Sequence, residues 1–171
     1  TGGTGLVGRH LVKKLQAQGM EVAVLSRNPT EAYEYQWDIT KEYIDEKALE
    51  NVTSIVHLAG AGIADKRWYT QRKQEIITSR VASIQLLFKK VNEYNTSLES
   101  FISASGIGFY GAITSSKIFT EVDPSANDFL GTVCRLWEQA VTKFQSQHCR
   151  TVILRTGIVL AKDGGALAKM K

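Results

Sequence analysis

The chain has 171 residues, of which 43% are apolar and 22% are charged; this composition is typical of one soluble globular domain and excludes a disordered chain. The net charge of +4 is spread along the sequence without a basic stripe, which argues against a nucleic-acid-binding protein and suits an anionic small ligand. No apolar run reaches the roughly 20 residues of a membrane span, and Cys134 and Cys149 are isolated, which argues against a disulfide scaffold or a zinc site.

The first residues, TGGTGLVG, form a glycine-rich turn that has neither a hydrophobic strand nor an initiating methionine in front of it. A turn of this kind normally follows a strand that holds it at a sheet edge. We therefore expect the chain to be a fragment, cut at both ends, whose first strand lies upstream of Thr1. No targeting pattern is visible, so the cytoplasm is the expected location.

Short runs rich in β-branched residues alternate with helical stretches along the whole chain. This alternation predicts an α/β domain in which helices cover a doubly wound parallel sheet. No repeat, low-complexity segment or linker interrupts it, so residues 1–171 are expected to form one domain. The predicted strands cover residues 21–27, 33–39, 54–60, 99–106 and 150–160; the predicted helices are a first one that ends at Gly19, a second over 69–93, and a last one that begins at Asn127 or Asp128.

The opening glycines predict a dinucleotide site. Within a strand–turn–helix unit, glycines permit a tight turn and let the backbone approach a pyrophosphate, while the N-terminus of the helix faces the phosphates. Here the GxxGxxG spacing stands directly ahead of an amphipathic helix; a glycine turn without a ligand is the alternative. The residues assigned to this site are Gly2, Thr4, Gly5, Leu6, Val7 and Gly8.

The end of the 21–27 strand indicates which dinucleotide is preferred. Sites for NAD place an acidic residue there for the ribose hydroxyls, whereas sites for NADP place an arginine that meets the 2′-phosphate. This chain has Ser26 and Arg27 and no carboxylate, and a hydroxyl beside a fixed cation can hold a phosphomonoester. The sequence therefore predicts NADP(H) over NAD(H); the alternative is that Arg27 is a solvated loop cation.

Six stretches of the sequence resemble one known family. They are TGGTGLVG, HLAGAGIADKRW, RKQEIITSRVASIQLL, ISASGIGFYG, TEVDPSANDFLGTVCRLWE and LRTGIVLAKDGGALAKM. Over nearly its whole length the chain is similar to the atypical short-chain dehydrogenase/reductases of the NAD-dependent epimerase/dehydratase family, some of which are described as nucleoside-diphosphate-sugar epimerases. The resemblance implies a Rossmann-like domain that binds NAD(P), here a partial one, because family members are longer and carry a further substrate-side segment.

The resemblance also implies roles for residues beyond the glycine turn. Ser26 and Arg27 would hold the 2′-phosphate, and Asp38 with Ile39 would lie beside the adenine. The further cofactor positions that it implies are Leu58, Ala59 and Gly60 at the adenine ribose, Glu75 and Arg80 on the following helix, and Gly157 and Val159 at the nicotinamide. For Glu75 and Arg80 the alternative is a solvent-exposed helix pair.

The catalytic pattern of short-chain dehydrogenases is not matched. Their tyrosine moves a proton with the help of a lysine four residues on, and a serine orients the substrate oxygen. Tyr43–Lys47 and Tyr69–Lys73 have that spacing. Both precede the predicted strand over 99–106, which carries the candidate serine, whereas the working pair belongs on the helix after that strand, so we interpret them as coincidental or structural. On the last helix, the pairs with that spacing contain neither tyrosine nor lysine; they are Phe129 with Val133, and Leu130 with Cys134.

Ser105 and Tyr110, within ISASGIGFYG, remain as the catalytic candidates. Ser105 resembles the serine that orients the substrate. Tyr110 resembles the tyrosine of a VYG turn that is not the catalytic one in the family. It would donate a proton only with the help of a cation beyond the fragment; otherwise it positions a ligand or packs the loop.

The other polar residues are interpreted as structural. His57, inside a strand, is expected to be a satisfied core residue, and Trp68 is expected to anchor a helix start rather than close over a cofactor. Glu121 and Asp123 are expected to form a turn before a helix. No pair of histidines or carboxylates has metal-ligand spacing, so no metal is expected.

These observations favour an NADP(H)-dependent oxidoreductase or epimerase-like enzyme that exchanges a hydride with a small polar molecule such as a nucleotide-sugar. The alternative, which the missing tyrosine–lysine pair favours, is an inactive module that senses NADP(H) or serves as a scaffold. Neither nucleic acid nor a membrane is expected as a partner, and a homodimer is left open.

Overall fold

The computed structural model describes residues 1–166, except for the side chains of residues 146 and 147. Within that range the chain forms three α-helices and seven short strands, numbered here in chain order. The helices are α1 (Leu6–Ala17), α2 (Thr70–Glu93) and α3 (Phe129–Val141); the strands are β1 (Val24–Ser26), β2 (Glu34–Asp38), β3 (Tyr43–Ile44), β4 (Ser54–His57), β5 (Ser100–Gly106), β6 (Arg150–Thr156) and β7 (Leu160–Ala161). Short 3-10 helices lie at Glu46–Leu49, Ile107–Tyr110 and Thr142–Gln147.

Parallel pairing dominates the sheet. β4, β5 and β6 run parallel in one three-stranded group, in a register that sets Ser105 opposite Arg155. β1 and β2 are parallel in a second group, to which β3 adds in the antiparallel sense. The predicted parallel α/β architecture is confirmed. The β2–β3 hairpin was not predicted, because Tyr43–Ile44 is too short to produce an alternating pattern.

Three predicted strands are longer than the observed ones, while 33–39 and 99–106 agree with β2 and β5 to within a residue at either end. The 21–27 strand is reduced to the three residues of β1. The 54–60 strand ends at His57, and beyond it the Leu58 amide donates to the Thr1 carbonyl at 3.1 Å. The 150–160 strand ends at Thr156, where the β5 ladder also ends.

The helices follow the apolar stripes of the sequence. α1 ends at Ala17, and Gly19 follows with a φ of 77°, the left-handed conformation that stops a helix. α3 begins after Asp128, whose carboxylate accepts from the Gly131 amide at 2.7 Å, which decides between the two predicted caps. Beyond Val141 the chain continues as 3-10 helix, so the last α-helix is shorter than its apolar stripe.

The hydrophobic core lies between the sheet and the pair α2 and α3. Phe101 of β5 stacks on Phe144 with ring centroids 3.9 Å apart, and Phe88 of α2 meets Phe144 edge-on at 5.2 Å. Cys134 and Cys149 are buried as free thiols. Among the helices of residues 1–166, none combines the length and the apolar character needed to span a bilayer.

Candidate functional site

The glycine-rich turn has no room for side chains. Gly2 has a φ of 72°, and the Gly5 amide donates to the Gly2 carbonyl at 3.1 Å, which closes the turn. A Cβ atom on Gly8 would overlap the Gly2 carbonyl oxygen and lie 2.7 Å from the Cα of Gly3. α1 begins directly after Gly5, which as a glycine supplies no capping side chain. The first amides of α1 are therefore open to an anion.

The turn lies between the two groups of strands. A Cβ atom on Gly3 would lie 2.8 Å from both methyl groups of Val24 in β1. One on Gly2 would lie 2.7 Å from the carbonyl carbon of Leu58, just past β4, and 2.8 Å from the Ala59 amide nitrogen. Ligands of open parallel sheets bind in such a crevice between two halves of the sheet. The fold thus brings the glycine turn against the segment that begins at Leu58.

His57 joins this turn to α2. Its Nδ1 lies 2.7 Å from Oγ1 of Thr1, and its Nε2 lies 3.2 Å from Oγ of Ser83. Because the Ser83 hydroxyl donates to the Arg80 carbonyl at 2.8 Å, His57 donates from Nε2 and accepts at Nδ1 as a neutral ring. Burial lowers the pKa of His57 to about 3. The prediction of a satisfied core histidine is confirmed.

Ser26 and Arg27 follow one another at the end of β1. The Ser26 hydroxyl oxygen accepts from the Asn28 amide at 3.3 Å, and the Arg27 carbonyl accepts from Nε2 of Gln36 at 2.8 Å. The Arg27 side chain is exposed, and within residues 1–166 its guanidinium has no hydrogen bond or ion pair. The backbone here is held while the cation stays available to an anionic ligand.

Asp38 is used by its own hairpin turn. Its Oδ1 accepts from the amides of Thr40 at 2.8 Å and Lys41 at 3.1 Å, and its Oδ2 lies 3.9 Å from Nζ of Lys41. Ile39 packs against the core beside it. If Asp38 lies beside an adenine, its carboxylate is already oriented by two backbone amides.

Arg80 is buried in α2 beneath the loop that follows β4. It is 6% exposed, donates from Nη1 to the Ile76 carbonyl at 3.0 Å, and places its Cζ 4.9 Å from the ring centroid of Trp137. Within residues 1–166 it has no carboxylate partner, and its Nε makes no hydrogen bond. A Cβ atom on Gly60 would lie 2.9 Å from its Cζ, so a glycine is needed where the loop meets the guanidinium. Burial lowers the pKa of Arg80 to about 10.

Glu75 pairs with Arg72 and not with Arg80. Nη1 of Arg72 lies 2.7 Å from Oε2 of Glu75, and this bond holds the pKa of Glu75 below its ordinary value. Arg72 is 4% exposed and also donates to the Gly62 carbonyl. The alternative of a solvent-exposed helix pair is therefore wrong for Arg80, which is buried, whereas Glu75 is exposed as that alternative expects. Arg72 was not predicted, although a charged residue just before an apolar stripe was the available signal.

Four side chains form one hydrogen-bonded network at the carboxyl ends of β5 and β6. The Ser105 hydroxyl donates to Oε1 of Glu138 at 2.6 Å. Arg155 donates from Nε to Oε1 of Glu138 at 2.9 Å and from Nη2 to Oε2 at 2.8 Å. Its Nη1 donates to the Tyr110 hydroxyl oxygen at 2.8 Å, and that hydroxyl donates to the Thr120 carbonyl at 2.9 Å. An ion pair thus joins the two hydroxyls predicted as catalytic.

This network differs from the sequence-based expectation. A cation accompanies Tyr110 within this chain, because Arg155 donates to its hydroxyl oxygen. The bond to Glu138 raises the pKa of Arg155, against the opposing effect of burial. Ser105 is only 3% exposed. Glu138 was missed, although a carboxylate one turn from Cys134 on the buried side of α3 requires a charged partner and was the available signal.

The chain beyond β6 folds back onto the start of α1. The Ala166 amide donates to the Val159 carbonyl at 3.0 Å, and a Cβ atom on Gly164 would lie 3.0 Å from Cδ1 of Leu6. Val159 is 39% exposed. The segment that carries Gly157 and Val159 is therefore next to the glycine turn. Residues 167–170, which end the last of the six quoted stretches, lie outside the described residues.

Neither Tyr-x-x-x-Lys pair belongs to the network around Ser105. Tyr43 lies in β3, whereas Lys47 lies in the following 3-10 helix. Tyr69 is the N-cap residue of α2, and the ammonium group of Lys73 lies 5.1 Å from the ring centroid of Phe129. Lys73 is thus placed over an aromatic ring and Lys47 lies in a different element from Tyr43.

The remaining structural expectations concern Trp68 and Asp123. Trp68 meets Phe129 edge-on with centroids 5.1 Å apart, and its indole donates to the Ile63 carbonyl at 2.8 Å, which anchors the loop to the start of α3. Asp123 accepts from the Thr120 amide at 2.7 Å and so closes a turn. Among residues 1–166, no group of three or more His, Cys, Asp or Glu side chains is arranged to hold a metal ion.

The sequence matches a known protein family. The family model described as "NAD dependent epimerase/dehydratase family" matches residues 1–165. An epimerase family protein of Mycobacterium leprae is 31% identical over 171 residues, which cover 99% of this chain and 55% of that protein. The chain spans about half the length of the curated relatives it matches.

Two crystal structures share the fold closely. The nucleoside-diphosphate sugar epimerase from Corynebacterium glutamicum has a TM-score of 0.83 and 35% identity, over 99% of this chain and 35% of that one. Human epimerase family protein SDR39U1, isoform 2, solved with NADPH, has a TM-score of 0.83 and 27% identity, over 99% of this chain and 56% of that one. The Rossmann-like fold expected from the resemblance is confirmed.

Proposed function

Because the chain belongs to the NAD-dependent epimerase/dehydratase family, we propose that it binds NADP(H) and forms the cofactor-binding part of an oxidoreductase or epimerase-like enzyme. The observation that carries this proposal is the bare backbone of the glycine turn. Side chains at Gly2 or Gly8 would collide with neighbouring backbone, and the first amides of α1 are open to a diphosphate. A relative of similar fold, human SDR39U1, was solved with NADPH.

A second observation supports an anionic ligand. Arg80 is a buried cation without a carboxylate partner in the described part of the chain, and such a charge is costly unless a ligand neutralises it. When bound, the nicotinamide would supply or accept a hydride. The residues proposed to hold the cofactor are the glycine turn at the diphosphate, Ser26 and Arg27 at the 2′-phosphate, Asp38 at the adenine, Leu58, Ala59 and Gly60 at the ribose, Glu75 and Arg80 from α2, and Gly157 and Val159 at the nicotinamide.

The preference for NADP(H) over NAD(H) depends on Arg27, because its exposed guanidinium has no partner within residues 1–166. Titration of the full-length protein with NADPH and NADH, followed by nucleotide fluorescence, tests this preference. We expect Arg27→Ala to weaken NADPH binding at least about tenfold, as a lost charged hydrogen bond does, and to leave NADH binding unchanged.

The matched control is Arg150→Ala, which removes an exposed arginine at the amino end of β6, and it should change neither affinity. Equal affinities for the two nucleotides that Arg27→Ala leaves untouched would contradict the assignment of the cofactor.

Ser105 and Tyr110 are the proposed groups that contact a substrate oxygen beside the nicotinamide. The substrate is proposed to be a small polar molecule such as a nucleotide-sugar, a class consistent with the printed name of the Corynebacterium glutamicum protein. A cytoplasmic location and a homodimer belong to the same proposal.

A second candidate function is a module that senses NADP(H), or serves as a scaffold, without turnover. One observation favours it: Ser105 is 3% exposed and its proton is committed to Glu138. A panel of carbonyl compounds and sugar nucleotides, supplied with NADPH, separates the two candidates. Oxidation of NADPH by any member indicates an enzyme, and tight binding of NADPH without oxidation by any member indicates a sensor.

A further inference from the structure

We infer that Glu138 and Arg155 are positioning residues of the proposed reaction, and that as one ion pair they fix the hydroxyl groups of Ser105 and Tyr110. The inference rests on the proposed function, because it requires that these hydroxyls meet a substrate beside the nicotinamide. It gives this chain an internal counterpart of the lysine that its tyrosine lacks in sequence.

The positions of these groups follow from strand register. Ser105 and Arg155 are direct neighbours on the parallel strands β5 and β6, and Glu138 reaches both from α3. The carboxylate accepts three hydrogen bonds, two of them from the fork of Arg155. The Cζ of Arg155 also lies 3.5 Å from the ring centroid of Phe109. The two bonds to Glu138 and the contact with the Phe109 ring therefore fix the orientation of the guanidinium, with Nη1 directed at Tyr110.

The energetics of the pair do not explain its presence. The side chains of Arg155 and Glu138 are 17% and 12% exposed, so both charges have lost most of their water. A buried ion pair contributes little net stability compared with apolar residues of similar volume, whereas removal of one partner is strongly destabilising. What the pair adds is direction, since its remaining side-chain hydrogen bonds go to the hydroxyls of Ser105 and Tyr110, and its one bond to backbone goes to the Glu121 carbonyl of the same loop.

The direction of each hydrogen bond has a chemical consequence. The guanidinium donates to Tyr110 whether the phenol is protonated or not, because arginine does not lose its proton. In reduction of a carbonyl compound, NADPH would supply the hydride to the carbonyl carbon, and the Tyr110 hydroxyl would turn its proton from the Thr120 carbonyl to the substrate oxygen. The phenolate left behind keeps its hydrogen bond to Arg155 and regains a proton from water, so NADP⁺ and an alcohol are the products.

A double-mutant cycle on the full-length protein tests whether Arg155 acts through Tyr110. The variants are Arg155→Met, Tyr110→Phe and their combination, with Arg150→Met at the exposed amino end of the same strand as the control. The readouts are the Kd of NADPH, the single-turnover rate of NADPH oxidation by 9,10-phenanthrenequinone, and trypsin cleavage after Lys117 in protein free of nucleotide. The third readout reports the loop that Arg155 ties down through Tyr110 and the Glu121 carbonyl.

We expect Arg155→Met to slow oxidation at least about tenfold when Tyr110 is present and less than about twofold in the Tyr110→Phe background. NADPH affinity should change less than about threefold, and cleavage after Lys117 should become faster. Arg155→Lys should recover part of the rate, because it keeps the charge and loses the fork. Equal losses in both backgrounds, or unchanged cleavage, would overturn the inference.

Because Arg155→Met leaves a buried carboxylate without a partner and risks misfolding, the combination of Glu138→Gln with Arg155→Met serves as a second test. This variant removes both charges. A folded protein that binds NADPH and has lost oxidation supports the inference, and one with the wild-type rate overturns it. Failure of the wild-type protein to bind NADPH would instead overturn the proposed function and the inference with it.

Discussion

Gly8 of α1 lies against the Gly2 carbonyl so closely that a Cβ atom on Gly8 would overlap the carbonyl oxygen. We expect Gly8→Ala to move the turn, to lower the free energy of unfolding by about 1–3 kcal/mol, and to weaken NADPH binding at least about tenfold. Urea unfolding and nucleotide fluorescence measure the two effects.

The control for stability is Gly157→Ala, whose Cβ atom would have its nearest neighbour, Cδ1 of Ile107, at 3.9 Å. This variant should change the free energy of unfolding by less than about 0.5 kcal/mol. Wild-type stability and wild-type NADPH affinity in Gly8→Ala would show that the turn does not need its close backbone contact.

His57 makes the stability of the fold depend on pH. Its pKa is 6.5 in a free side chain and about 3 in the folded protein. Between these values the unfolded chain takes up the proton and the folded one does not, so stability is complete above pH 6.5 and falls as the pH decreases. The loss from this one group approaches about 1.4 kcal/mol per pH unit.

Urea unfolding between about pH 7.5 and pH 5, above the range where carboxylates titrate, isolates this effect. In His57→Gln the slope over that range should be reduced, whereas substitution of the exposed His148 by Gln should leave it as in the wild type. An unchanged slope in His57→Gln would mean that the ring is not neutral in the folded state.

Asp128 is expected to be the cap on which α3 depends. Its Oδ1 accepts from the Gly131 amide at 2.7 Å, and its Oδ2 accepts from the Ala112 amide at 3.1 Å, so it also holds the preceding loop. Asp128→Ala should lower the free energy of unfolding by about 1–2 kcal/mol, as the loss of a capping side chain does. Asn127→Ala, one residue earlier and exposed, is the matched control and should be close to neutral. Equal effects of the two substitutions in thermal unfolding would contradict the assignment of the cap.

Periodic features of the sequence were sufficient to predict most of the fold. The strand over 99–106 and the apolar stripe of 69–93 were recognised because their side chains alternate or repeat along one face. The glycine turn was recognised because its spacing precedes such a helix. β3 was missed because two residues carry no period.

The contacts around Glu138 could not be predicted from the periodicity of the sequence. The contact between Ser105 and Arg155 depends on the register of β5 against β6, and the contact with Glu138 depends on the rotation of α3 about its axis. Neither is a property of a local stretch of sequence. For the same reason the sequence does not distinguish a buried Arg80 from an exposed one, the usual position of an arginine; tertiary packing places it beneath Gly60.

Arg80 provides the last prediction, in which stability and binding move in opposite directions. Burial lowers its pKa from 12.5 to about 10, which corresponds to about 3 kcal/mol against the charged form. One hydrogen bond to Ile76 and the contact with the Trp137 ring offset only part of this cost. Arg80→Met should therefore raise the free energy of unfolding of the nucleotide-free protein by about 1 kcal/mol and weaken NADPH binding at least about tenfold.

The comparison variant is Arg72→Met, because Arg72 is equally buried but has Glu75 and the Gly62 carbonyl as partners. Loss of these partners should lower the stability of the nucleotide-free protein. Urea unfolding with and without NADPH measures both variants. The stabilisation by NADPH should be smaller in Arg80→Met than in the wild type, since stabilisation by a ligand grows with the logarithm of its concentration divided by its Kd. A nucleotide-free Arg80→Met protein that is clearly less stable than the wild type would mean that the buried charge is already compensated without a ligand.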